Sequence, residues 1–138
     1  MKKESYVELA MFRGTLRKFL RFSEDAASEA GLAPKQHQAL LAIKGFPGER
    51  AITIGQLAEQ LQIRHHSAVG IVDRLEEGKY LKRSISPTDR RKVQLDLTQR
   101  GEQILERLSH SHHQEMQMVG PKLIKILQSI IGEETKRP

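Results

Sequence analysis

The chain of 138 residues contains no cysteine. Disulfides, cysteine-based zinc sites and thiol redox sensing are thereby excluded together. No apolar run approaches the roughly 18–20 residues that a bilayer-spanning helix needs. The opening stretch carries Lys2, Lys3, Glu4, Glu8, Arg13, Arg17 and Lys18, too much charge for the apolar centre of a signal peptide. The expectation is a cytoplasmic protein with no membrane partner. Also missing are an HExxH pair, a glycine-rich phosphate loop and any histidine with a partnered nucleophile. Neither an enzyme nor a cofactor is expected. No internal repeat or low-complexity tract interrupts the chain.

What remains is an ordinary globular composition, 38% hydrophobic and 29% charged, at a length that suits one domain with a real core. A net charge of +6 and a pI near 9.8 suit a polyanionic partner, although solubility alone would also account for a bare excess of base. What decides between these is clustering, and the charge is clustered.

From Ser5 to Ala30, Leu9, Phe12, Leu16, Phe19 and Leu20 recur at helical spacing. Gly31 is placed to stop that helix. Pro34 opens a second one, which runs to Lys44 with Leu40, Leu41 and Ile43 apolar and closes at Gly45-Phe46-Pro47-Gly48. Ala51-Ile52-Thr53 is a short extended lead-in, and Thr53 with Gln56 forms a capping box for a third helix bearing Ile54, Leu57, Ala58 and Leu61. A polar patch, Arg64-His65-His66-Ser67, precedes a fourth helix with Ala68, Ile71, Val72 and Leu75 at i, i+3, i+4 and i+7.

Beyond Gly78 the period falls to two. Leu81 to Ile85 reads as one strand, and Val93, Leu95 and Leu97 alternate with polar residues in a second. Ser86-Pro87-Thr88-Asp89-Arg90 between them is turn chemistry. Thr98 caps a fifth helix carrying Ile104, Leu105, Leu108, Met116 and Val119, which Gly120-Pro121 is expected to break or kink. A sixth helix would then carry Leu123, Ile124, Ile126, Leu127, Ile130 and Ile131. The fold class is mainly α with one β-hairpin. A winged helix-turn-helix over about residues 34–100 is flanked by dimerisation helices over about 5–30 and 98–132, all within one domain spanning 1–138.

The hairpin holds Lys79, Lys82, Arg83, Arg90, Arg91 and Lys92 against one acid, Asp89. Cations on a protruding element contact phosphates, and arginine at a wing tip reaches an adjacent minor groove. The same charges would also suit a solvated hairpin edge kept from aggregating. The fourth helix tips the balance. Arg64, His65, His66 and Ser67 at its N-terminal turn hydrogen-bond bases or phosphates, where the free N–H groups and positive dipole end also favour an anion. Val69 on that face suits a thymine methyl. Gly70 costs about 1 kcal/mol relative to alanine inside a helix, which suits a close approach to DNA backbone or to a neighbouring helix.

At these residues the chain resembles a known family. Leu57-Ala58-Glu59-Gln60-Leu61, Val72-Asp73-Arg74-Leu75-Glu76, Asp89-Arg90-Arg91 and Leu97-Thr98-Gln99-Arg100-Gly101 are similar to the core of MarR-type winged-helix transcription regulators. The Asp-x-Arg tip followed by Leu-Thr-x-x-Gly is the specific combination. The resemblance implies that Arg91 enters a minor groove while Asp89 shapes the tip. It also implies that Arg74 anchors the recognition helix or the wing. Many members carry Ser-Arg where Val69-Gly70 stand here, and serine at Arg64, and the order Gly78-Lys79 differs from the usual one.

The resemblance further implies a sequence-specific DNA-binding regulator, a repressor released by a small aromatic or phenolic effector. The effector would sit near Phe12, Arg13, Leu16, His37 and His112. The apolar stripes exceed what one small winged domain covers, so a homodimer is expected. Its recognition helices would lie roughly 34–36 Å apart on near-palindromic double-stranded DNA. Glu106, His110 and His113 at i, i+4 and i+7 form either a zinc-type ligand set or a solvated polar face. A winged-helix scaffold that binds protein instead of DNA is the rival from another class.

Overall fold

In the computed structural model, residues 1–48 and 50–135 are described. Five helices and one hairpin follow in order: α1 (Lys3–Glu29), α2 (Pro34–Lys44), α3 (Ile54–Leu61), α4 (His65–Glu77), β1 (Leu81–Ile85), β2 (Val93–Leu97) and α5 (Gln99–Thr135). The chain divides into two compact units. Residues 27–108 form one, and residues 1–26 with those from Ser109 onward form the other. No helix among the described residues is long and apolar enough to cross a membrane.

Local chemistry sets the boundaries in the 27–108 unit. The Gly31 backbone is left-handed (φ +87°), and the Leu32 N–H turns back to the Ala27 carbonyl at 2.9 Å to close α1. At α3 the capping box forms as the sequence predicts. The Gln56 N–H donates to Thr53 Oγ1 at 3.2 Å, and the Thr53 N–H donates to Gln56 Oε1 at 2.9 Å. Non-glycine residues occupy the left-handed position after α3 and α4, Gln62 at φ 54° and Lys79 at φ 63°. In each case the turn is held by a backward hydrogen bond, Ile63 N–H to Ala58 and Tyr80 N–H to Leu75.

The core consists of Leu40, Ile52, Leu57, Val72, Leu75, Leu81 and Leu95, all almost fully buried. Here α2, α3 and α4 pack on one another and on the hairpin. The strands are antiparallel, with Leu81 opposite Leu97 and Ile85 opposite Val93. The extended lead-in adds a short third rung, as the Leu95 N–H donates to the Ile52 carbonyl at 2.9 Å and Thr53 bridges Gln94.

At the hairpin base a single peptide is crowded. The Tyr80 carbonyl accepts from the Thr98 N–H at 3.0 Å, and a Cβ at Gly101 would lie 2.0 Å from that oxygen. Gly78 is needed for another reason, since its Cβ would meet the Tyr80 ring at 2.7 Å. That ring also lies under Arg100, whose guanidinium carbon is 4.6 Å from the centroid.

In the second unit Thr15 is buried and donates to the Met11 carbonyl at 2.7 Å. The expected break at Gly120-Pro121 does not occur, and α5 is one helix of 37 residues. Proline removes a single N–H, and the usual clash with the preceding Cβ is absent because residue 120 is glycine. There is therefore no sixth helix. Of the apolar residues expected on it, Ile126 is buried within the chain, while Ile124, Leu127 and Ile131 are exposed. On α1, Tyr6, Val7, Leu9, Met11 and Leu20 are exposed as well.

Gly101→Ala should destabilise the fold by about 1–3 kcal/mol, because the backbone oxygen it meets cannot rotate away. Lys79→Gly should stabilise it by up to about 1 kcal/mol by relieving the left-handed penalty. Urea unfolding of both variants checks this pair. A neutral Gly101→Ala would show that the α4–β1 junction gives way freely.

Candidate nucleic-acid interface

The recognition turn is built by how α4 begins. Arg64 is the N-cap residue in extended backbone (φ −70°, ψ 151°) and makes no side-chain cap. Its carbonyl accepts from the Ser67 and Ala68 N–H groups, both at 3.1 Å, which leaves its guanidinium outside the capping scheme. Arg64, His65 and His66 are exposed, and Ser67 and Val69 are half-buried. Ala68, Ile71, Val72 and Leu75 bury the opposite face. A Cβ built at Gly70 meets nothing within 4 Å, so no neighbouring helix among the described residues demands this glycine.

The wing tip is tied by short-range hydrogen bonds. Ser86 Oγ accepts from the Thr88 and Asp89 N–H groups, each at 3.3 Å. The Lys92 N–H donates to the Asp89 carbonyl, and the Ser86 N–H to the Lys92 carbonyl, both at 3.0 Å. One Asp89 oxygen accepts from the Arg91 N–H at 3.0 Å and from Arg91 Nε at 3.2 Å. The Arg91 side chain nonetheless stays 91% exposed, pointed outward and held at its root. Arg90 and Lys92 are exposed beside it.

One of the expected DNA contacts needs correction. Arg83 does not face outward, because its guanidinium is ion-paired with Asp73 and lies 3.4 Å from Glu76, both on α4. A strand residue opposite Leu95 sits against the helix rather than at the tip, so Arg83 braces the wing. On α4 it is Asp73 that holds the wing through Arg83, and Arg74 is exposed. Sequence reasoning misses Asp73 and Glu76, although their i, i+3 spacing places two carboxylates on one helical face.

Three of the five expected effector residues share one groove. Phe12, Arg13 and Leu16 line an open groove of about 400 Å³ along α1, together with Arg17, Leu20, Arg21 and Glu24. His37 is a buried α2 residue of the 27–108 unit. His112 does not line the groove; its Nε2 is 2.8 Å from Ser23 Oγ and its ring meets Phe19 and Phe22 edge-on at 5.9 and 5.4 Å. Among the described residues no three His, Asp or Glu side chains are placed to hold a metal ion. Glu106, His110 and His113 therefore do not form a ligand set. Residues seven apart on one helix are separated by about 10 Å of rise, too far for a third ligand to converge.

The Asp89 carboxyl is held below its ordinary value of 3.8, first by the Arg91 backbone N–H and then by its guanidinium. A lowered carboxyl contributes its full share to the folded tip above the ordinary value and loses it as pH falls through the lower one. The Arg91 amide resonance should therefore titrate with a midpoint below pH 3.8. A transition at or above that pH, or an unchanged titration in Asp89→Asn, would contradict the clamp.

Comparison with known proteins gives three findings. Residues 30–92 match the MarR family. A Thauera aromatica protein assigned to transcriptional regulation of the hcr operon is 31% identical over 99 residues, which cover 72% of this chain and 58% of that protein. The chain thus spans little more than half the length of this curated relative. Among solved structures, Staphylococcus aureus MepR in a DNA complex superposes with a TM-score of 0.72 at 18% identity, covering 99% of this chain and 96% of that one. A cysteine-to-serine mutant of Escherichia coli MarR complexed with operator DNA gives 0.68 at 21% identity, covering 88% of each. At such identities these two establish the fold. The winged helix-turn-helix region of this chain, residues 30–92, is similar to the MarR family.

Proposed function

We propose that the protein is a non-enzymatic, dimeric transcription regulator that grips near-palindromic DNA and releases it when a small aromatic acid binds. The observation that carries this reading is the state of the acids around the wing. Eight Lys and Arg residues face four Asp and Glu between Arg64 and Lys92. Three of those acids are already engaged, Asp73 and Glu76 by Arg83, and Asp89 by Arg91. The exposed Arg64, Arg90 and Lys92 are paired with none of these acids, and Arg91, although it shares Asp89, keeps its side chain 91% exposed. The DNA complexes of MepR and MarR, which share this fold, support the same direction.

The exposed apolar faces of α1 and α5 support a dimer, since stripes of that size seldom stay in water. The α1 groove supports an acidic aromatic effector. Phe12 and Leu16 offer an apolar wall, and Arg13 and Arg17 offer guanidinium partners for a carboxylate.

Affinity for the DNA upstream of the gene, measured by fluorescence anisotropy, should fall steeply with salt. Each phosphate neutralised contributes about 0.9 to the log–log slope. Arg91→Ala should reduce both affinity and slope. His66→Ala should relax sequence preference by about 1–3 kcal/mol per lost base contact. Gly70→Ala should stabilise α4 by about 1 kcal/mol and yet weaken DNA binding if the helix approaches the backbone there. An affinity that is flat in salt would end the proposal.

The dimer has its own test. Deleting the chain after Gly120 should give monomer or aggregate in sedimentation, because each lost apolar anchor is worth about 1.5–3 kcal/mol when buried. A truncated chain that stays dimeric would place the interface elsewhere.

A further inference from the structure

The hairpin does not supply every cation at the wing tip. The extended lead-in to α3 lies alongside β2, with the Leu95 N–H donating to the Ile52 carbonyl at 2.9 Å and Thr53 bridging Gln94. Arg50 stands two residues before Ile52, at the end of that rung. Its guanidinium reaches the tip, where Nη1 lies 3.5 Å from Thr88 Oγ1. Thr88 immediately precedes the turn over residues 89–92, which the Lys92 N–H closes on the Asp89 carbonyl. A cation 38 residues earlier in the chain is thus brought to the tip that carries Arg90, Arg91 and Lys92.

The surroundings of Arg50 leave its charge available. The residue is exposed and has no ion-pair partner among the described residues. The one acid of the tip, Asp89, is already engaged by Arg91. A hydroxyl is a neutral partner, so the guanidinium keeps its field. At 3.5 Å the contact also lies outside the usual N–H···O range of about 2.7–3.2 Å. Thr88 therefore aims Arg50 without satisfying it, and the other N–H donors of the fork stay open to a stronger acceptor.

A phosphate oxygen is such an acceptor, since charge-assisted bonds from guanidinium to phosphate are roughly twice as strong as neutral ones. Duplex DNA carries one phosphate charge per about 1.7 Å of axis, so a tip that enters a groove brings its flanking cations against the backbone. We propose that Arg50 is part of the DNA grip, a phosphate-binding guanidinium supplied to the wing tip by the α2–α3 connection. The inference rests on the DNA-binding reading given above. It adds to the hairpin a phosphate contact that carries no sequence information of its own.

The test is affinity against salt, by fluorescence anisotropy, for the DNA upstream of the gene and for an unrelated duplex of the same length. The full chain is compared with Arg50→Gln and Arg50→Lys. Arg50→Gln should weaken both duplexes alike and flatten the log–log slope by about 0.9. The wild-type advantage then shrinks about 3.5-fold between roughly 50 and 200 mM salt. Arg50→Lys keeps the charge without the planar fork that meets Thr88, and should keep the wild-type slope. The side chain is exposed, and amide spectra of both variants report that the fold is kept. A wild-type slope in Arg50→Gln overturns the assignment. So does an equal loss in Arg50→Lys, which would make Arg50 a brace of the tip and not a phosphate ligand. Either result leaves the steep salt dependence of the wild type, and with it the DNA-binding reading, in place. A wild-type affinity that is flat in salt removes both.

Discussion

The hairpin depends on the meeting of the Tyr80 carbonyl with the start of α5. The Thr98 N–H bonds that carbonyl at 3.0 Å, and Thr98 Oγ1 donates to the Lys79 carbonyl at 2.6 Å. The same hydroxyl accepts from the Gly101 N–H at 3.1 Å, so one threonine caps a helix and clasps the base of the wing. Pairing begins at once, with Leu81 opposite Leu97. A slip of one residue would turn the buried Leu81 and Leu95 to solvent, so the clasp fixes which side chains face the core and which face outward.

From that base, stiffness runs to the tip in two stages. Arg83 ties the middle of β1 to α4, and Ser86 with Asp89 ties the turn to itself. An arginine held at its root loses less freedom on docking than one on a loose loop, which favours binding without adding a contact. Arg91 combines both properties, with its backbone and Nε engaged and its side chain almost wholly in water.

Much of this is legible in the sequence because the signals are local. The Thr53–Gln56 box, Gly31, Pro34 and the alternation of Val93, Leu95 and Leu97 each act within a few residues, and each lies where the pattern places it. The misses involve partners distant along the chain or cancelling effects. Arg83 reads as one more wing cation, since nothing in a linear charge count says that Asp73, ten residues earlier, lies beside it. Pro121 reads as a helix breaker unless the relief given by Gly120 is weighed with it. The left-handed Lys79 is hidden because the neighbouring glycine, which invites that role, is reserved for the Tyr80 ring.

The Arg83 brace has an evolutionary corollary. Positions 73 and 83 share one charge balance, and Glu76 leans on the same guanidinium. A lineage that lost the arginine first would carry two half-exposed carboxylates three residues apart on α4, a like-charge pair that costs a few tenths of a kcal/mol. Drift through that intermediate is uphill. The two positions are therefore expected to change in step across descendants, and second-site revertants of an Arg83 lesion should map to residues 73 and 76.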